Sequence, residues 1–436
     1  MEDLERPAVR LWRVPRYTTW FLSDTAKELA GALTGFAVPL IALMVTDDPA
    51  QAGTIAAAGV AAAVVLTLVG GVLADRHRRI LLMLLGSFLG IALAGSFALL
   101  DAAGAWTFAL LLAINVLLGA REGLFDIAGE TALKDIVPDE AMGRAQAANQ
   151  GRGAVIQLAG GPLGGALLGI GGWLVGIVAM LCQGVAAVTT WMLGRGAPRR
   201  LGAAAPALSG DRDAAGAQAT PPAAFLPQLR SGFAWTFARA DLRGVLWAAT
   251  IVNLGFSAAI ATVIYALQQD GHPPVTIGWL SAVAGAAMLL GALIAPLLIP
   301  RIPASVLVIG GLTAAAAGIL LLSVVDSLAG MLAVLAGAVF FVPALNSGLL
   351  GYFMVAVPSE MLGRANSAMQ VLAVGATPLA PIIAGFGLAW AGRTPTLVFC
   401  GALCLTAALI AVTNRGLRAL PVESGWSEHA RQFLCE

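Results

Sequence analysis

The chain has 436 residues, 59% of them hydrophobic and only 11% charged, where an ordinary soluble domain carries about 25% charge. Most of it must therefore face lipid, which excludes a single water-soluble core. With 25 basic and 24 acidic residues the net charge is +1, a balance that gives nucleic acid or any other polyanion no footing.

The N-terminal stretch Met1 to Arg16 is Arg-rich and runs into an apolar segment with no small-residue cleavage site, so this segment is read as a retained first span. Crossing a ~30 Å hydrocarbon layer takes about twenty apolar residues as helix. By that measure there are twelve spans, at 20–45, 53–74, 80–101, 105–130, 148–170, 172–194, 244–267, 275–299, 304–325, 329–355, 367–391 and 395–414. All but three of the 25 basic residues, Arg152 among them, are assigned to the two ends and to alternate connectors. The exceptions are Arg393 on the opposite side and Lys27 and Arg121 inside spans. This asymmetry puts both termini in the cytoplasm of a cell whose inner (plasma) membrane holds the protein.

Charges inside spans are informative, because each is costly unless paired or wet. Span one carries Asp24, Lys27 and Glu28 within one helical turn. Span four carries Arg121, Glu122, Asp126 and Glu130, the three acids spaced by four and so forming one stripe. By topology the two groups lie at similar depth. Lys27 and Arg121 compensate part of a carboxylate excess, and an uncompensated carboxylate in a poorly solvated cavity can load and release a proton. Glu122 and Asp126 are the first candidates for proton coupling, followed by Glu28 and Asp24. The plainer alternative is that these acids form structural ion pairs or snorkel toward the interface.

Between spans two and three lies the charged knot Gly70-Gly71-Val72-Leu73-Ala74-Asp75-Arg76-His77-Arg78-Arg79. Its pattern G-x-x-x-D-R-x-x-R, carried by Gly71, Asp75, Arg76 and Arg79, resembles the loop motif of the major facilitator superfamily. The family's second glycine is replaced by Arg78 and its last basic position by Ile80. The phrase Val137-Pro-Asp-Glu-Ala-Met-Gly-Arg-Ala after span four returns as Val357-Pro-Ser-Glu-Met-Leu-Gly-Arg-Ala after span ten. Both copies occupy the same connector of a six-span half, the parallel repeat that this family builds on. The resemblance implies an all-α membrane protein of two pseudo-symmetric six-helix halves, residues 1–194 and 244–436, joined by a cytoplasmic linker at 195–243. It also implies a cytoplasmic gate at Gly71, Asp75, Arg76 and Arg79 with Glu140, Arg144, Glu360 and Arg364, and a central cavity lined by spans one, four, seven and ten. V-P-x-E-x-x-G-R-A looks most like the branch of enterobactin exporters and macrolide or multidrug efflux proteins.

In span five, Gly160-Gly161-Pro162-Leu163-Gly164-Gly165 resembles the antiporter motif of drug exporters with a shorter spacer, and Pro378 and Pro381 hold the comparable place in span eleven. Both predict bendable helices. In the linker, Phe225, Leu229, Phe233 and Phe237 recur every four residues beside Arg230 and Arg239, predicting an amphipathic helix in the membrane interface. The second half lacks a charged knot: Pro300-Arg301-Ile302-Pro303 stands in its place.

Asn253 and Tyr265 in span seven, with Phe341 and Asn346 in span ten, are candidates for an amide and aromatic cavity wall suited to an amphipathic substrate. The four cysteines have neither zinc nor disulfide spacing, and the three histidines lie outside the spans, so neither metal nor cofactor is expected. A GxxxxGK[ST] loop is absent from the sequence, which removes ATP as a direct energy source. The resulting expectation is a monomeric secondary transporter, not an enzyme, exporting a drug-like or siderophore-like molecule in exchange for protons by alternating access. Uptake or flipping of a lipid-like solute by the same fold, and a transport-inactive receptor, are the alternatives.

Overall fold

A computed structural model describes residues 11–195 and 234–432, apart from positions 138, 236, 358–368, 370 and 373. Every regular element among the described residues is helical. After a 3-10 turn at Leu11–Arg13 come α1 (Pro15–Thr46), α2 (Pro49–Arg76), α3 (Arg79–Ala102), α4 (Phe108–Ile136), α5 (Asp139–Ile170) and α6 (Gly172–Arg195). The second series is α7 (Ala240–Gln269), α8 (Pro274–Leu298), α9 (Ala304–Leu322), α10 (Leu328–Phe340), α11 (Val342–Ala356), α12 (Leu379–Ala391) and α13 (Arg393–Thr413), followed by the short α14 (Arg415–Arg418) and α15 (Trp426–Gln432). Among the described residues eleven apolar stretches, α10 and α11 counting as one, are long and apolar enough to cross a membrane, and α12 is a shorter apolar helix. Together they make the twelve-span architecture of a multi-pass membrane protein.

Local chemistry sets the helix ends. Asp47 takes a left-handed conformation (φ 48°) and the next residue, Asp48, accepts the Ala50 amide at 2.8 Å, so the chain reverses within two residues and starts α2. Thr107 accepts the Leu110 amide ahead of α4 at 3.3 Å, and Ser327 does the same for Gly330 ahead of α10 at 3.2 Å. The repeated phrase terminates two helices in one way. Val137 and Val357 are both extended (φ −105°, ψ 128° and φ −94°, ψ 123°), as a residue preceding proline must be, and each ends its helix.

The chain divides into two compact units, Met1–Val38 with Ala62–Ala215, and Pro39–Ala61 with Gly216–Glu436. In the first, α3 packs along α6 and also against α4. Asp101, at the end of α3, accepts the Trp106 indole at 2.9 Å and the Trp173 amide at 2.6 Å, tying the start of α6 to the α3–α4 turn. In the second unit α13 packs on α7 and α9, and α10 on α8. Residues 39–61 join this unit by close crossings. A methyl added at Gly53 would lie 2.3 Å from the Pro381 carbonyl oxygen, and one at Gly385 would lie 2.3 Å from that of Pro49. Beside this crossing Gln268 donates to the Leu40 carbonyl at 2.6 Å.

Proline chemistry divides the spans unequally. Span ten, one apolar run in the sequence, is broken at Phe341 into α10 and α11, because Pro343 has no amide to continue the ladder. The Phe340 carbonyl at the break faces Gly291 of α8, where an added methyl would lie 2.0 Å from its oxygen. Span eleven is interrupted by a turn at 376–378 before α12, whereas α5 runs unbroken through Pro162.

Beyond α13 the chain folds back. Asn414 caps α14 by accepting the Leu417 amide at 3.0 Å, and the carbonyls of Pro421 and Leu420 accept the amides of Ala304 and Ser305 at 3.0 and 3.3 Å. These are the unsatisfied amides at the start of α9. The indole of Trp426 lies over Gly351 of α11.

Most of the amphipathic stretch foreseen in the linker lies outside the described residues. Its last cation packs against protein. Arg239 is buried, sits 5.4 Å from the Trp235 ring and donates to the Ala356 carbonyl at 2.7 Å, satisfying the end of α11.

Candidate functional site

In the first unit, α1 and α4 bring their charged groups together, and α5 adds a further cation. Trp20 fixes the approach by donating its indole N–H to the Gly129 carbonyl at 2.9 Å. Gly129 also leaves room for Asp24, since a methyl there would lie 2.9 Å from Asp24 Oδ1. Lys27 Nζ stands 2.9 Å from Asp24 Oδ1 and 3.5 Å from Asp126 Oδ1, bridging α1 to α4. Arg121 Nη2 reaches Asp126 Oδ2 at 3.4 Å.

Arg152 completes the set, and its placement corrects the sequence reading. It belongs to the interior of α5 and not to a cytoplasmic connector. Its Nη2 lies 2.7 Å from Asp24 Oδ2 and 2.9 Å from Glu28 Oε2, and its guanidinium lies 5.3 Å from the Phe21 ring centre. The side chains of Arg121, Asp24 and Arg152 are nearly sealed from solvent, while Asp126 and Glu28 are partly open.

The arrangement is a chain of alternating charge: Glu28, Arg152, Asp24, Lys27, Asp126, Arg121. Three carboxylates thereby meet three cations. Glu122 is the remainder, exposed and without an ion pair among the described residues. Glu130 is exposed further along the same stripe.

A small cavity of about 10 Å³, room for roughly one water, opens beside this chain and is bordered by Ser23, Ser87, Phe125 and Thr190 together with its charged members. Arg121 Nη1 and Asp126 Oδ1 are buried there without a hydrogen bond, the latter facing the Lys27 ammonium at 3.5 Å. Ser23 and Thr190 satisfy one another at 2.7 Å.

The remaining sequence candidates do not join this cluster. Of the expected gate, Arg79 is held by Asp135 at 2.5 Å and by the Thr131 carbonyl at 2.9 Å, which ties α3 to the end of α4. Arg76 and Arg144 are exposed. The side chains of Asp75 and Glu140, and Glu360 and Arg364 entirely, lie outside the described residues. Gly71 has open space around it; Gly70 is the spatially constrained neighbour, where a methyl would lie 2.1 Å from the Gly123 carbonyl oxygen.

In the second unit Asn253 and Asn346 are exposed, and Phe341, 41% exposed, stacks edge-on with Phe340 at 5.1 Å. Tyr265 is 2% exposed and enclosed in helix packing, so it lines no open wall.

Arg152 and Asp135 are the residues that sequence reasoning missed. Arg152 lies four residues past the assigned start of span five, a depth at which a cation needs an acid; that was the available signal. Asp135 follows Lys134 at a helix end and looks like any solvated pair.

The sequence profile of the Major Facilitator Superfamily matches residues 28–371. A search of curated protein sequences returns no match. Among solved structures, a bacterial homologue of the human lysosomal transporter Spinster, inward-facing and unoccupied, is similar with a TM-score of 0.69 at 16% identity, over 97% of this chain and 98% of the other. A POT family transporter bound to a thioalcohol-conjugated peptide is similar with a TM-score of 0.69 at 12% identity, and one bound to 5-aminolevulinic acid with 0.68 at 12%. Both cover 91% of this chain and 95% of the other. With a profile match running through most of its length and the helical architecture to go with it, this chain belongs to the major facilitator superfamily of transporters.

Proposed function

We propose that this transporter is proton-coupled and exports an amphipathic small molecule, with Glu122 as the group that exchanges its proton for substrate. The observation that carries the reading is the charge imbalance in the α1–α4–α5 cluster: Asp24, Glu28 and Asp126 are each matched to a cation, while Glu122 beside them has no ion pair among the described residues. Protonating Glu122 breaks no ion pair, whereas protonating Asp24 would uncouple it from both Lys27 and Arg152. Deprotonated, the cluster carries one excess negative charge that favours a cationic group of the substrate; protonated, it is neutral and releases that group. Competition of proton and substrate for one place is enough to couple a gradient to transport.

Asp126, shared between Lys27 and Arg121, then acts as the bridge through which loading of Glu122 is felt by α1. Asp24 and Glu28 act with Arg152 as the structural end of the chain. Export as the direction, and a drug-like or siderophore-like cargo, rest on the likeness of the repeated V-P-x-E-x-x-G-R-A phrase to efflux proteins. The excess of basic residues in alternate connectors supports a cytoplasmic location for both termini.

The test is transport in proteoliposomes under an imposed pH gradient of either sign, with hydrophobic cations, macrolides and catecholate siderophores as cargo. Glu122→Gln, fixed in the neutral state, is expected to bind a cationic cargo weakly and to lose accumulation driven by the gradient, and Asp126→Asn to lose it as well. Undiminished gradient-driven transport by Glu122→Gln would reject the coupling role, and accumulation only under the opposite gradient would reject export.

A further inference from the structure

We infer that the shared end of α2, α3 and α6 is a binding site for the phosphate headgroup of an anionic phospholipid in the adjoining leaflet. This depends only on the protein's being a multi-pass membrane protein, and not on the direction or coupling of transport. Arg76 and Arg78 project at the α2–α3 turn, and both are exposed. Neither makes an ion pair among the described residues, in contrast to Arg79, which Asp135 and the Thr131 carbonyl already occupy.

The end of α6 meets this turn: a methyl at Gly194 would lie 3.1 Å from the Ile80 side chain, so the next residue, Arg195, is carried to the same end of the bundle as Arg78. Arg195 is exposed, without an ion pair among the described residues, and its guanidinium stacks on the Trp191 ring at 3.5 Å from the ring centre. Arg76, Arg78 and Arg195 bring three positive charges to the patch, and setting Asp75 against one of them still leaves two.

What adjoins the patch decides the occupant. Toward the membrane interior the exposed surface is apolar, with Leu81, Leu85 and Phe88 on α3 and Val188, Trp191 and Met192 on α6. A ligand that fits both parts carries acyl chains along this surface and an anionic head among the arginines. Tryptophan at the boundary is suited to such a depth, its ring in the headgroup layer. Basic residues near the bilayer surface attract anionic lipid by about 1 kcal/mol each, or roughly fivefold in affinity. A free phosphate would use the arginines and ignore the apolar strip.

The full chain in nanodiscs containing brominated phosphatidylglycerol or brominated phosphatidylcholine gives the test, with quenching of Trp191 obtained by subtracting the W191F variant. At equal mole fraction, phosphatidylglycerol is expected to quench more strongly. That preference should vanish in R78Q/R195Q and return in R78K/R195K, which keeps the charge and controls for folding. Equal quenching by the two lipids in the unaltered protein, a preference undiminished in R78Q/R195Q, or complete competition by inorganic phosphate would overturn the assignment.

Discussion

Arg152 holds two carboxylates of α1 while leaning on the ring of Phe21, so its removal leaves Asp24 as a buried charge with Lys27 alone opposite it. Breaking a buried pair by deleting one partner costs on the order of 3 kcal/mol. Arg152→Ala should accordingly lower the midpoint of thermal unfolding in detergent by several degrees. Arg152→Lys should recover part of the loss, since an ammonium cannot span both acids as a guanidinium does. A midpoint unchanged in Arg152→Ala would mean that the pair contributes nothing to stability. At this scale the acids of spans one and four were legible, because intramembrane charge is rare and their spacing put them on single faces. The partner on α5 was not. Asp24 and Arg152 are 128 positions apart, and neighbouring residues carry no record of a contact made between helices.

Helices carry a second layer of information, and here prolines were read with uneven success. Pro162 leaves α5 whole, yet Pro343 splits span ten, where the Phe340 carbonyl finds room beside Gly291. A side chain at position 291 must displace that carbonyl, so Gly291→Leu is expected to destabilise the second unit and reduce transport. Normal yield and activity in this variant would show that the break tolerates rearrangement. The missing knot in the second half also has a physical counterpart: the start of α9 takes Leu420 and Pro421 as its partners, and Trp426 fastens the folded-back segment over Gly351. Trp426→Ala should cost about 3 kcal/mol, the usual effect of emptying a buried aromatic site, measurable by thermal unfolding. Retention of the full midpoint would contradict that anchoring role. No periodicity announces this segment, because it is built from caps and one indole instead of a regular apolar face.

For the molecule as a whole, apolar length and the repeated phrase were sufficient to reach twelve spans in an all-helical membrane fold. An even number of crossings returns the chain to its starting side, and the positive-inside rule applied to the basic connectors proposes the cytoplasm as that side. Epitope tags at the two ends should both be protected in intact cells and both become accessible after permeabilisation; a tag labelled from outside at either end would contradict this topology. The partition of contacts was less accessible to sequence reasoning. Residues 39–61 cluster with the second unit through glycines whose partners lie more than 300 positions away, while their own helices begin or end in the first. Gly53→Val is expected to disrupt the crossing at Pro381, and wild-type transport in that variant would show the crossing to be dispensable.

The capping of α9 by residues 420 and 421 also imposes an order on biosynthesis. A ribosome begins α9 more than a hundred residues before it makes the carbonyls that complete it. Until then the amides of Ala304 and Ser305 must be served by water or by the insertion machinery. The closing step in capping α9 thus waits for a stretch translated well after it, and nascent chains arrested ahead of that stretch should be more open to proteolysis near residue 304 than chains arrested beyond it.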